Sequence, residues 1–230
     1  MIHFAALPCL LLTGCLTGGY WGSRNGAALP VIPLFEGNSW AYVDSAYFGD
    51  DSVSTDSTHI VIAGSRQVTL GGKSQTVFLW NVRNAAHEPG AVTLWLQNRR
   101  RGNYTVGAEQ DTATFAFETL HVKYPAHKGE RYPTYFLGFR TENSVFLPAL
   151  DTLEIEVVNS DSLCRVPAGT FTCLHYRGWK PGGVLFADTW YAPGWGYLGS
   201  QQVRVLAVNG VDRSVTIVRR LARYTISRPD

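Results

Sequence analysis

The chain has 230 residues, 20 Lys plus Arg against 18 Asp plus Glu, a formal net charge of +2 and 45% hydrophobic residues. That length suits one β-rich domain with a tether and is short for two full domains. The composition excludes a disordered chain, and the near-balanced charge leaves no electrostatic footprint for a nucleic-acid partner.

The first signal in chain order is a short apolar run from Phe4 to Leu12 that ends in Leu12-Thr13-Gly14-Cys15. The run is too short to cross a bilayer. It resembles the lipobox of bacterial lipoprotein signal peptides, an aliphatic residue and two small residues before a cysteine. The resemblance implies cleavage before Cys15, acylation of its thiol and a membrane partner reached through that anchor. Residues 1–14 are then the signal peptide, 15–30 a lipidated N-terminus and flexible tether, and 31–230 a single β-domain. Leu16, where sorting in Gram-negative lipoproteins reads Asp as a retention signal, implies the outer membrane, with the domain in the periplasm. Met1-Ile2-His3 lacks the Lys or Arg usual in that family, and an ordinary signal peptide with a chance Gly-Cys is the alternative. The Gly-rich stretch from Leu16 to Pro30 buries little, and Tyr20 and Trp21 within it either sit at headgroup level or pack on the domain.

The β-domain opens on Pro33-Leu-Phe-Glu-Gly-Asn-Ser-Trp-Ala-Tyr42, a Gly-Asn turn feeding a strand with Trp40 and Tyr42 on one face. A polar segment, Asp50 to Ser57, is predicted as a loop. His59 to Leu70 and Lys73 to Val82 are predicted strands joined by Gly71-Gly72, a hairpin signal because both positions need positive φ. Thr76, Phe78, Trp80 and Val82 alternate with Val77 and Leu79, which places this strand centrally. Further strands are predicted at Ala91 to Gln97 and around Ala113, Phe115 and Phe117. His121 to Tyr135, with two prolines, is expected to be a long loop or an edge excursion. At Leu153, Ile155 and Val157 alternation resumes, with Glu154 and Glu156 facing out. Ser162 to Tyr176 forms a hairpin about Val166-Pro-Ala-Gly-Thr-Phe171, and Ala187-Asp-Thr-Trp-Tyr-Ala-Pro-Gly-Trp-Gly-Tyr-Leu198 folds back on a Pro-Gly turn. Two last strands, Gln202 to Val208 and Ser214 to Ile226, meet through Asn209-Gly210. No segment has helical period. The expected fold is all-β: a single antiparallel, mostly meandering sheet curled into a barrel or half-open barrel, with a β-sandwich as the alternative.

The blocks PLFEGNSWAY, VPAGTFTC and WYAPGWGYL, in this order, resemble a group of uncharacterised bacterial lipoproteins with PLxxGNxWxY, VPAGTFxC and WYAPGxG motifs. The resemblance implies an exported β-rich domain and supplies no activity, catalytic residue or cofactor.

Candidate chemistry is sparse. The histidines have no HExxH or H-x-H spacing, and Asp50, Asp51 and Asp56 lack the order of an EF-hand, so neither a metal nor another cofactor is expected. There is no G-x-S-x-G elbow, and no catalytic residue is assigned. Cys164 and Cys173 flank the VPAGTF turn: a two-residue-loop register would set them directly opposite, where a cross-strand disulfide forms, whereas a bulged turn would leave them diagonal, and two buried thiols are the alternative. Arg219, Arg220 and Arg223 either face anionic lipid or act as charged gatekeepers on an edge strand. Trp179, Trp190, Trp195 and Tyr197 either line a groove for an apolar ligand or fill the core. Taken together, these features predict a non-catalytic envelope lipoprotein that binds or carries an apolar or amphiphilic ligand. A structural lipoprotein holding protein partners is the second reading, and a hydrolase the third.

Overall fold

The computed structural model describes residues 29–49, 51–84, 92–110, 113–142, 145–208 and 211–227. Cys15 and residues 15–28 of the tether expected over 15–30 lie outside the described residues. The twelve strands are β1 (Ser39–Phe48), β2 (Asp51–Leu70), β3 (Lys73–Asn84), β4 (Val92–Arg99), β5 (Gly102–Gln110), β6 (Ala113–Lys123), β7 (Arg131–Glu142), β8 (Val145–Val166), β9 (Gly169–Lys180), β10 (Val184–Ala192), β11 (Gly196–Val208) and β12 (Val211–Thr225).

They form one antiparallel sheet in the order β6-β5-β4-β3-β2-β1-β12-β11-β10-β9-β8-β7. Every consecutive pair is hydrogen-bonded except β6 and β7, and β1 meets β12 from Ser39↔Thr225 to Tyr47↔Thr216. The result is the expected meandering barrel, nearly closed, with one unsealed seam. Closure through β1 and β12 covers the edges of the first and last strands, and the two remaining edges face each other across the seam.

Local turn chemistry accounts for much of this path. Gly71 and Gly72 take φ of 55° and 76°, as a two-residue hairpin requires. Central placement of β3 is also observed: Val77 is buried on the outer face beside Trp95 and Val106, while Trp80 is buried on the inner face. Asp51 to Ser57, predicted as a loop, instead begins β2 and pairs with β1, Asp56 lying opposite Asp44. Polar side chains mask a strand wherever one side of it faces solvent or a wet lumen. His121 to Tyr135 divides between the end of β6, a loop at Tyr124–Glu130 and the start of β7. Pro133 is tolerated in β7 because that strand is an edge and has no neighbour awaiting its N–H.

The two ends of the barrel differ. At one end, here the base, the segment preceding β1 runs beneath the sheet as a strap. Gly194 N donates to Pro30 O (2.8 Å), Asn98 Nδ2 to Ile32 O (2.7 Å) and Asn38 Nδ2 to Pro33 O (2.9 Å). Val31 and Ile32 are buried as a result. Outward positions such as His59, Glu154 and Arg223 are polar and exposed, and the larger cluster of buried apolar side chains lies on the inner face, with a smaller one about Val77, Trp95 and Val106 outside. No helix among the described residues is long and apolar enough to cross a membrane.

Candidate functional site

Period-2 alternation sends one face of each strand into the barrel, and the base fills first. Trp40, fully buried, stacks at 5.0 Å on Trp80 and donates its indole N–H to Trp195 O (2.7 Å). Tyr42 donates to Tyr197 O (3.0 Å), and Gly196 lies flat against the Trp40 indole. Phe171 meets Trp195 at 5.6 Å, and Trp195 meets Tyr224 at 5.1 Å. The three aromatic-plus-turn blocks therefore converge on the base, as parts of its closure.

Above this packing the lumen holds a cavity of about 300 Å³. Ile60, Trp80, Val82, Leu94, Ile155 and Phe186 form its apolar wall, and Ile32 of the strap reaches it from below. A belt of rings stands beside it: Tyr42 and Tyr191 each lie 5.3 Å from Tyr197, and Tyr176 lies 5.9 Å from Tyr191. Burial pushes the phenols of Tyr42, Tyr191, Tyr176 and Tyr132 well above their ordinary range, so all stay neutral donors. Tyr176 donates to Lys123 O (2.5 Å), and Tyr191 Oη lies 3.3 Å from His121 Nε2. Burial lowers the His121 imidazole to about 4, which keeps it uncharged at neutral pH.

One ion pair is set into this wall. Arg219 on β12 binds Asp44 on β1 bidentately, Nε to Oδ1 and Nη2 to Oδ2 at 2.7 Å each. Thr58 on β2 ties both, donating to Asp44 Oδ2 (2.6 Å) and accepting from Arg219 Nη2 (2.8 Å). Arg219 was expected on a lipid-facing or edge strand; β12 is instead paired on both sides, and Arg219 turns inward because its partner is there. Asp44 follows Trp40 and Tyr42 at steps of two, so a lone acid on an aromatic face was the available sign of an internal counter-ion.

Of the four aromatics proposed for a groove, only Tyr197 lines the cavity. Trp195 fills the base. Trp190 stacks on His175 at 4.9 Å, and Asp188 binds both His175 Nε2 (2.6 Å) and Arg177 Nε (2.9 Å). Trp179 donates to Glu156 (3.3 Å), whose other neighbour is Arg131 (3.0 Å). The structure thus does not bring the four together. Cys164 and Cys173 are joined by a disulfide with Cα atoms 6.2 Å apart. The loop is the two residues Pro167 and Ala168, yet Cys164 faces Phe171 and Cys173 faces Ser162. The bridge is therefore diagonal even without a bulged turn, correcting the expectation that a two-residue loop sets the cysteines directly opposite. Among the described residues no group of three or more His, Cys, Asp and Glu is placed to hold a metal ion.

No family model matches the chain, and no curated protein matches it. Among solved structures, the chain is similar to a candidate lipoprotein from Parabacteroides distasonis, at 16% identity and a TM-score of 0.37, over 86% of this chain and 100% of that one.

Proposed function

We propose that this protein is an envelope lipoprotein whose barrel binds or carries an apolar or amphiphilic ligand in its lumen. The observation that carries the reading is the cavity of about 300 Å³ walled by Ile60, Trp80, Leu94, Ile155 and Phe186, with neutral phenols and one internal ion pair at its side. A concave, mostly apolar site with a few placed polar groups suits a small ligand, and the volume stands at the lower end of the range for such sites. The lipobox-like Leu12-Thr-Gly-Cys15 supports the anchor: each buried acyl methylene contributes about 0.8 kcal/mol, so acyl chains on Cys15 hold the domain at a membrane without a spanning helix. The outer membrane, by resemblance to the sorting habit, is the site of residence.

The second reading, a lipoprotein that holds protein partners, is favoured by the seam, where β6 and β7 present strand edges suited to pairing with an added strand. Two measurements test the proposal. Cys15→Ser is expected to move the protein from the membrane to the soluble fraction, and unchanged fractionation overturns the anchor. Native mass spectrometry of that soluble chain is expected to show a co-purified lipid-like mass; an empty lumen that also takes up no added amphiphile overturns the carrier reading.

A further inference from the structure

The lumen is not uniformly apolar, and the placement of its charges narrows the ligand. Ser200 on β11 lies opposite Arg219, Gln202 opposite Ile217 and Arg204 opposite Val215. Period 2 therefore raises Gln202 and Arg204 in a row above Arg219 on the same inward face. Arg219 is pinned by Asp44 and Thr58 through Nε and Nη2, while its Nη1 makes no hydrogen bond among the described residues and the side chain lines the cavity. Arg204, exposed above it, donates from Nε (3.2 Å) and Nη2 (2.9 Å) to Gln202 Oε1, and Gln202 also lines the cavity. No carboxylate among the described residues pairs with Arg204.

Asp44 is thus committed to Arg219, and Arg204 is the guanidinium of this row without a direct carboxylate partner among the described residues. Asp56, across from Asp44 on β2, is a second carboxylate on this face, but β1 and β12 stand between its strand and that of Arg204, and its Oδ1 accepts the Ser57 amide (2.6 Å). Desolvation and then the charge of Arg219 lower the proton affinity of Arg204 while Asp44 raises it, so Arg204 stands near enough to the Asp44–Arg219 pair to sense both charges. The part of the wall formed by Ile60, Trp80, Leu94 and Ile155 is apolar.

We infer that the lumen takes a single-chain amphiphile with an anionic head, a carboxylate or a phosphate, held between Arg219 Nη1 and Arg204 while its tail lies along Ile60, Trp80, Leu94 and Ile155. The inference rests on the carrier reading above and specifies its ligand. A guanidinium already fixed by Asp44 and Thr58 loses little freedom on binding the head, and charge-assisted hydrogen bonds are roughly twice as strong as neutral ones. An ammonium head would meet like charge at the two guanidiniums, and an alcohol would forgo the stronger hydrogen bonds of an ionised acceptor.

The test is isothermal titration calorimetry of the full chain carrying Cys15→Ser with four probes that share a ten-carbon tail: decanoate, decyl phosphate, decanol and decyltrimethylammonium, each below its micelle concentration. The two anions are expected to bind about tenfold or more tighter than decanol. Arg204→Gln, which strands no buried charge, is expected to bring the anions to within about threefold of decanol and to leave decanol unchanged. Preference for decyl phosphate assigns the head to a lipid phosphate and preference for decanoate assigns it to a free fatty acid; both support the inference. Equal binding of anions and alcohol, preference for the ammonium, or no effect of Arg204→Gln overturns the anionic head and leaves the carrier reading standing. Absence of binding by all four overturns both.

Discussion

At the scale of single residues, the lumen is defined by groups whose charge state depends on their neighbours. Among the described residues, the hydrogen-bond partners of the Asp44 and Arg219 side chains are each other and Thr58. Replacing Asp44 by Asn keeps the shape and leaves Arg219 facing a neutral partner, its side chain only 25% exposed. Breaking such a pair is expected to cost about 2–3 kcal/mol, measured as a lower urea midpoint with unchanged slope. His121 gives a pH signature. Its folded value of about 4 lies below the ordinary 6.5, so the unfolded chain binds the extra proton and stability falls as pH drops through that interval. Between pH 7.5 and pH 5 the loss is about 2 kcal/mol, and His121→Phe is expected to flatten it. An equal slope in wild type and variant would show that His121 is solvated. Neither group was picked out from the sequence. Asp44 follows the aromatics Trp40 and Tyr42 at steps of two, but its partner is 175 residues away, and only closure of the barrel pairs them.

At the scale of elements, the hairpins were legible because their turns obey local rules. Gly71-Gly72 and the Pro193-Gly194 turn are set by φ preferences that need no tertiary contact. Strand limits were less legible: β2 and β8 run to 20 and 22 residues, longer than their apolar alternation suggests. The Pro193-Gly194 block was legible as a chain reversal, but the contact it closes on was not. Gly196, at φ 92°, is needed both for its backbone and because a Cβ there would approach the Trp40 indole to 3.2 Å. Gly196→Ala is expected to destabilise by about 1–3 kcal/mol in thermal or urea unfolding, through left-handed backbone and overpacking together. A neutral result would mean that the base yields easily and the blocks are not its closure.

At the scale of the whole molecule, the seam is the one place where neighbouring strands lack a ladder. Side chains bridge it instead: Thr119 and Thr134 share a hydrogen bond (3.0 Å), and Tyr135 N donates to Thr119 Oγ1 (3.0 Å). Edge amides without a β-partner open with little free-energy cost. Hydrogen-exchange mass spectrometry is expected to show peptides from 113–118 and from β7 exchanging well before those of β1 and β12. Matching protection on both sides would mean that the barrel is sealed in solution.

The sequence by itself determined an all-β, meandering chain with its tight turns in place, since alternation and turn preferences act between residues a few positions apart. It also determined that Trp40 and Tyr42 share a face and that Glu154 and Glu156 share the opposite environment. Which face became the lumen was decided only by the tertiary structure. A period of two sorts side chains into two sets without saying which set the closed sheet encloses. Closure of β1 on β12 made that choice: it turned Arg219 inward, left Trp179 and Trp190 on the outer wall, and assembled a cavity from strands far apart in the chain.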